Sequence, residues 1–314
     1  MRIVFMGTPD FAVGVLEHLL KTKHDIVGVV TAIDKPTGRG KKLNESAVKR
    51  FAKDHDLNLF QPSNLKDTAF IDQLTSLKPD LIIVVAFRML PKVVWQIPAI
   101  GTFNLHASLL PAYRGAAPIN WTIINGDKET GVTTFFIDDK IDTGAILLQK
   151  TVAISDDETA GTLHDKLLDI GKIIVEETID GIDNKTLLAQ PQEKKGISKA
   201  PKLTKENTRI NWERSGKEIE YFVRGLSPYP VAWTYFNTSN SDNETLTLKI
   251  YMAYFKEVEH HEKIGQIITS KDSLKIAVKD GWLYITELQY PGKRKMPIKD
   301  FLNGFSFEVN SYCF

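Results

Sequence analysis

Residues 81–86, LIIVVA, run without one polar side chain. A half-buried strand alternates apolar with polar positions, whereas a short uninterrupted run fits a strand buried on both faces, as in a parallel sheet covered by helices on each side. The N-terminal half agrees. Residues 2–6 read as another buried strand, ended by Gly7 and Thr8, and 10–20 as the helix that follows. A strand is expected over 26–31, a helix over 46–55 with Ser46 as N-cap, helical spacing over 70–77, and a strand over 101–106. A short helix after Pro118 reaches 125, strands follow over 131–137 and 145–154, and Leu163, Leu167, Ile170, Ile173 and Ile174 mark a long helix over 159–180 that Gly181 should stop. Strands alternating with helices predict an α/β fold, a doubly wound and mostly parallel sheet.

The strand-turn-helix opening invites a dinucleotide reading, but Gly7 is followed by Thr8, Pro9, Asp10 and Phe11. The second glycine that lets backbone approach a pyrophosphate is missing, which argues against nicotinamide or flavin. Residues 32–43 read as a loop rich in glycine, proline and lysine, in which two glycines flank Arg39 and free its guanidinium to reach out. Over 189–207 the apolar period lapses while proline and lysine accumulate, as in a linker. Beyond it 210–223 reads as partly helical, and short strands over 231–236, 245–255, 265–269, 274–277 and 283–288 suggest a small barrel, with 237–243 a polar loop.

The chemistry concentrates in residues 103–115, FNLHASLLPAYRG. In a strand, Asn104 and His106 project from one face, and Ser108, Leu109, Leu110 and Pro111 end that strand, since proline cannot donate to a central ladder. The pair then sits at a strand's carboxyl end, where open α/β sheets bind ligands. Two donors aimed at one point suit acyl transfer to an amine, in which negative charge develops on a carbonyl oxygen. Asp142, before Thr143 and Gly144, can reach His106, hold its tautomer and assist proton removal from the amine, directly or through a water. Taken singly, each residue also has an ordinary reading: Asn104 and Asp142 as turn formers, His106 as a satisfied core histidine. His164 reads as an ordinary helix residue, and His260 and His261 as exposed loop histidines without metal-ligand partners nearby.

Length and charge bound the partners. The 314 residues suit one large or two ordinary domains, and 40 basic against 39 acidic residues leave a net charge of +1. An acidic partner must therefore be met by local clusters. Three are present: Lys35, Arg39, Lys41 and Lys42; Lys194, Lys195, Lys199, Lys202, Lys205 and Arg209; and Lys293, Arg294, Lys295 and Lys299. Cys313 is the only cysteine, so no intramolecular disulfide forms. No run approaches a membrane span and the N-terminus lacks a signal-peptide pattern, so no membrane partner and a cytoplasmic location are expected.

In order and spacing, MRIVFMGTPDFAV, DKPTGRGKKL, NLHASLLPAYRGAAPIN, DTGAILLQK, KLTKENTRINW and SPYPVAWTYF resemble the methionyl-tRNA formyltransferases. The resemblance covers nearly the whole chain. It implies a Rossmann-like catalytic domain over 1–189, a basic linker over 190–207 and a smaller C-terminal oligonucleotide-binding-type β-barrel over 208–314 that binds tRNA. It further implies transfer of the formyl group of 10-formyltetrahydrofolate to the amino group of methionine on initiator tRNA, for translation initiation. Tetrahydrofolate is then the second product, no metal is needed, and a monomer is expected. On this resemblance Asn104, His106 and Asp142 are the catalytic set, Ser108, Leu109, Leu110 and Pro111 the folate-binding signature, and Lys35, Arg39, Lys41 and Lys42 the tRNA-gripping loop. One departure stands out. Where the family usually reads AYGxILP in the loop that walls its folate pocket, this chain has Ala86, Phe87, Arg88, Met89, Leu90 and Pro91, one residue shorter and without the glycine. Two other functions compete: the same chemistry on a small amine such as glycinamide ribonucleotide or an amino sugar nucleotide, and a non-catalytic RNA-binding module.

Overall fold

The structure is a computed structural model that describes residues 1–37, 42–237, 245–308 and 310–314, with backbone alone at 35–37 and 42. Two compact units emerge: Met1–Pro118, Thr130–Val152 and His164–Lys199 make one, and Ile119–Glu129, Ala153–Leu163 and Ala200–Phe314 the other.

In chain order the elements begin β1 (Arg2–Gly7), α1 (Asp10–Leu19), β2 (Asp25–Val30), β3 (Lys35–Thr37), β4 (Lys42–Asn44), α2 (Ala47–Asp54), β5 (Leu59–Phe60), α3 (Thr68–Ser76), β6 (Leu81–Val85), α4 (Lys92–Trp95) and β7 (Gly101–His106). They continue with β8 (Arg114–Gly115), α5 (Pro118–Ile124), β9 (Glu129–Phe136), β10 (Ile146–Ala153) and α6 (Ala160–Asp183). The main sheet has the order β10-β9-β7-β6-β1-β2-β5. Strands β5, β2, β1, β6 and β7 are mutually parallel and β9 runs antiparallel to β7. The chain winds outward from β1 to β2 and β5, then returns to add β6 and β7 on the other side of β1. That reversal of winding makes a crevice at the carboxyl ends of the strands.

Both faces of this sheet are sealed, as the unbroken run in β6 predicts. Val4 and Met6 of β1 and Ile82 and Val84 of β6 join Phe70 and Leu74 of α3 in one core. The alternate residues Ile3, Phe5, Leu81 and Ile83 are 0% exposed on the opposite face. Burying each such side chain stabilises by about 1.5–3 kcal/mol before the entropy of ordering is set against it. Helix starts follow their caps: the Ser46 hydroxyl accepts from Lys49 N at 3.0 Å, and the Asp67 carboxylate from Ala69 N at 3.1 Å.

Two local expectations need correction. Residues 32–43 are not loop throughout, because β3 and β4 pair antiparallel at their ends. Gly181 does not stop α6, which runs to Asp183; Lys185 takes the left-handed backbone instead, at φ 56°. Thr186 N and Leu187 N then close on the Gly181 carbonyl, and Leu187 packs over the bare Gly181 Cα.

After β11 (Lys199–Ala200), the second unit contains a 3₁₀ turn (Glu206–Thr208), α7 (Gly216–Leu226), β12 (Ala232–Asn237), β13 (Thr245–Glu257), β14 (Ile267–Thr269), β15 (Leu274–Val278), β16 (Gly281–Gln289), β17 (Met296–Pro297), α8 (Ile298–Leu302) and β18 (Tyr312–Cys313). The strands follow the order β14-β15-β16-β13-β12-β18, with β17 on β16. A bridge between Gln266 and Tyr312 brings β14 back to β18 and nearly closes the barrel. Its interior holds Leu248, Ile250, Leu274, Ile276, Leu283 and Ile285. Helix α7 starts with a reciprocal capping box of Ser215 and Glu218 and packs Ile219, Val223 and Leu226 into that core.

Candidate active site

Alternation along β7 puts Asn104 and His106 on one face at the strand's carboxyl end. Both are locked in register: Asn104 lies opposite Val84 on β6 and Phe135 on β9, and His106 opposite Thr133. Asn104 is half-buried, and among the described residues no group holds its side-chain amide. His106 is buried, 6% exposed, with the Phe135 ring edge-on beside it at 6.4 Å.

The imidazole is oriented by backbone. His106 Nε2 lies 2.9 Å from the Tyr113 carbonyl oxygen. A carbonyl can only accept, so the proton of the neutral ring sits on Nε2. Nδ1 then faces the site and points at Asp142 Oδ2, 3.9 Å away. This corrects one expectation: the Tyr113 carbonyl holds the tautomer, and Asp142 is a second neighbour. The gap is too long for a direct hydrogen bond, yet one atom bonded to both groups would span it.

Asp142 is itself held firmly. Its Oδ2 accepts from Gly115 N at 2.8 Å, and its backbone takes the left-handed conformation at φ 54°. Gly144 follows because the chain folds onto β9: a Cβ there would lie 1.6 Å from the Phe136 carbonyl oxygen. The DTG sequence thus delivers a carboxylate on a tight return.

Ser108 to Pro111 form a braced loop with a cis Leu110–Pro111 bond. The Ser108 hydroxyl, fully buried, donates to the Ala112 carbonyl at 2.7 Å. Thr133 Oγ1 donates to Ser108 O at 2.6 Å and accepts from Leu110 N at 3.1 Å. Gln149 Nε2 donates to Leu110 O and to Thr133 Oγ1, both at 2.9 Å. The Ser108 and Leu110 side chains therefore shape the loop from inside. What it can present to a ligand is the half-buried apolar surface of Leu109 and Pro111.

At the end of β6, Ala86 takes φ 47°. Arg88 turns away to donate to the Ser63 carbonyl at 3.1 Å and to the Pro62 carbonyl, with its guanidinium 5.7 Å from the Phe87 ring centroid. The shortened loop is thus closed by an arginine bonded to neighbouring backbone. Of the basic loop residues, Lys35 begins β3 and Lys42 begins β4, whereas Arg39 and Lys41 lie outside the described residues. Residues 238–243 of the polar loop lie outside them too.

Sequence reasoning missed Tyr113, Gly115, Thr133, Gln149 and Gln192. Gln192 Nε2 donates to the Asp142 and Gly144 carbonyls, both at 2.9 Å, and its Oε1 accepts from Arg114. These residues act through backbone groups, which no side-chain pattern advertises. His164 meets its expectation, edge-on to Phe11 and beside Asp165. His260 does not: it is half-buried, its Nε2 lies 2.8 Å from the Val278 carbonyl, and its ring tilts over Trp282. Among the described residues no three His, Cys, Asp or Glu side chains gather as a metal site, and no helix is long and apolar enough to cross a membrane.

A buried imidazole faces a fixed carboxylate at a strand end that also carries a half-buried amide on the same face, and two family models match the segments that carry this architecture. One, described as formyl transferase, spans residues 1–179; the other, its C-terminal domain, spans 202–306. The chain belongs to the formyl transferase family. This formyltransferase is 53% identical over 308 residues to the methionyl-tRNA formyltransferase of Flavobacterium johnsoniae, covering 98% of this chain and 97% of that one. It is 48% identical to the protein of the same name from Bacteroides fragilis, over 97% of this chain and 95% of that one. Among solved structures, a sugar 3N-formyl transferase determined with dTDP and 5-N-formyl-THF superposes with a TM-score of 0.64 at 22% identity, covering 94% of this chain and 99% of that one. A glycinamide ribonucleotide transformylase from Symbiobacterium toebii superposes with a TM-score of 0.51 at 18% identity, covering 62% of this chain and 94% of the other. At such identities the structural likeness speaks for the fold alone.

Proposed function

We propose that this formyltransferase moves the formyl group of 10-formyltetrahydrofolate to the α-amino group of methionine on initiator tRNA, with Asn104, His106 and Asp142 as its catalytic residues. The observation that carries the mechanism is the geometry at the end of β7. The amine nitrogen attacks the formyl carbon, and negative charge grows on the formyl oxygen. Asn104 donates to that oxygen, and His106 stabilises it through Nδ1 when the imidazolium is present. Asp142, anchored by Gly115 N, accepts the proton that the amine loses, directly or through a water. The carbon–nitrogen bond to the folate then breaks, that nitrogen is reprotonated, and tetrahydrofolate leaves. Leu109 and Pro111 offer the apolar wall for the folate, and Lys35, Arg39, Lys41 and Lys42 the phosphate contacts for the tRNA end.

The second domain does not by itself select the acceptor. The sugar formyltransferase also covers 94% of this chain, whereas the glycinamide ribonucleotide enzyme covers 62%. Near-50% identity over almost the whole length to proteins named methionyl-tRNA formyltransferase supports tRNA. The test is formylation of methionine-charged initiator and elongator tRNAs with labelled donor at rising salt. The expected result is labelled initiator tRNA and an apparent affinity that falls steeply with salt, as lysine and arginine contacts to phosphates require. Equal labelling of a free small amine, with no dependence on salt, would overturn the tRNA acceptor.

A further inference from the structure

We infer that Gln192 is a positioning residue for formyl transfer, the tie that holds Asp142 and His106 at their working separation; this rests on the catalytic roles proposed above. Two short segments hold the polar ends of the pair. In the first, the Tyr113 carbonyl accepts from His106 Nε2 at 2.9 Å and Gly115 N donates to Asp142 Oδ2 at 2.8 Å. The second is the return through residues 142–144, in which Asp142 sits at φ 54°. A non-glycine residue in the left-handed region persists only where its surroundings enforce it.

Gln192 bonds both segments at once. Its Nε2 gives one hydrogen to the Asp142 carbonyl and the other to the Gly144 carbonyl, both at 2.9 Å. Its Oε1 accepts from Arg114 Nε at 3.2 Å and Nη2 at 2.6 Å. Arg114 stands between Tyr113 and Gly115, the two residues that hold the histidine and the aspartate. The neighbouring chain adds to the brace: Gln190 exchanges backbone hydrogen bonds with Ile146 at 2.7 and 2.8 Å, and Ser198 Oγ accepts from Tyr113 N at 2.8 Å. A primary amide suits the position because it offers two donors on one atom and an acceptor on the other. Gln192 also lines an open cleft of about 450 Å³, with Arg114, Asp138 and Thr143.

Acting through Asp142, Gln192 affects the chemical step and not donor binding. Single-turnover formylation is measured for the parent, Gln192→Ala and Gln192→Glu, each also in an Asp142→Asn background, with melting temperatures alongside. Gln192→Glu keeps the size and the acceptor for Arg114 but removes both donors, so it isolates the contact to Asp142 and Gly144 if the alanine variant folds poorly. The expected result is a rate about tenfold to a hundredfold lower for either variant, with donor KM within about twofold. In the Asp142→Asn background the same substitutions should change the rate by less than about twofold, because groups acting as one unit are not additive. A parent-like rate in Gln192→Glu, or the same fold loss in both backgrounds, would overturn the inference while leaving the catalytic roles standing. An Asp142→Asn rate equal to the parent's would overturn those roles and this inference with them.

Discussion

Asn104 brings two amide hydrogens to the end of β7, and among the described residues nothing in the protein takes them. An amide so placed costs little to remove from the fold and much from the reaction. Asn104→Ala should lower kcat by about a hundredfold to a thousandfold while shifting stability by no more than about 0.5 kcal/mol, measured by steady-state formylation and thermal unfolding. Wild-type turnover in that variant would remove Asn104 from the oxyanion role. The identity of this residue and of His106 was legible because a strand's period is fixed and their spacing matches it. The tautomer of His106 was not legible. It depends on one carbonyl, at Tyr113, and every residue has a carbonyl. Gln192 was hidden for a related reason: it lies in a stretch without apolar period and reaches back 78 positions to Arg114.

Elements were legible where one kind of interaction dominates. The apolar run of β6 could only be buried on both sides, and the stripe of α6 is a core face at Leu163, Leu167 and Ile174, although Ile173 is exposed. Their ends were less so, because tertiary packing overrides local propensity: Gly181 stays helical under Leu187. Strand β9 illustrates what periodicity cannot carry. Thr133 turns towards the loop at Ser108 and Leu110, whereas Thr134 shares a hydrogen bond of 2.8 Å with Thr178 of α6. Thr133→Val keeps shape but strands a buried N–H and a buried carbonyl, so it should destabilise by about 2–3 kcal/mol in denaturant unfolding and raise donor KM more than it lowers kcat. An unchanged unfolding midpoint would mean the loop is held otherwise.

A pH effect belongs to the same scale. His24, just before β2, is 7% exposed and lies 3.4 Å from Asp180 of α6. Burial, helped by the nearby Met1 amino group, holds its imidazole below the ordinary value. The unfolded chain therefore takes up this proton at higher pH than the folded one. The stability linked to His24 is complete above about pH 6.5 and is lost as pH falls below it. Melting temperature should drop between about pH 7.5 and 5.5, and His24→Gln should flatten part of that drop. An identical slope in the variant would place the acid sensitivity elsewhere.

Across the whole molecule, opposite requirements meet. The proposed reaction asks a near-neutral chain of net charge +1 to engage a polyanion through local basic clusters and to hold a folate against apolar surface at the end of a buried sheet. The sequence announced a sheet followed by a barrel, but not that residues 119–129 and 153–163 cluster with the C-terminal part, since such partition depends on contacts far apart along the chain. The proposed reaction requires both substrates and all three polar groups together. It is tested most directly by single-turnover transfer of labelled formyl to methionine-charged initiator tRNA in the parent and in Asp142→Asn, with donor affinity measured in parallel by titration. The proposed reaction predicts a rate about a hundredfold or more lower in the variant with donor affinity within about threefold of the parent's. Loss of donor affinity with an unchanged rate at saturation would contradict it.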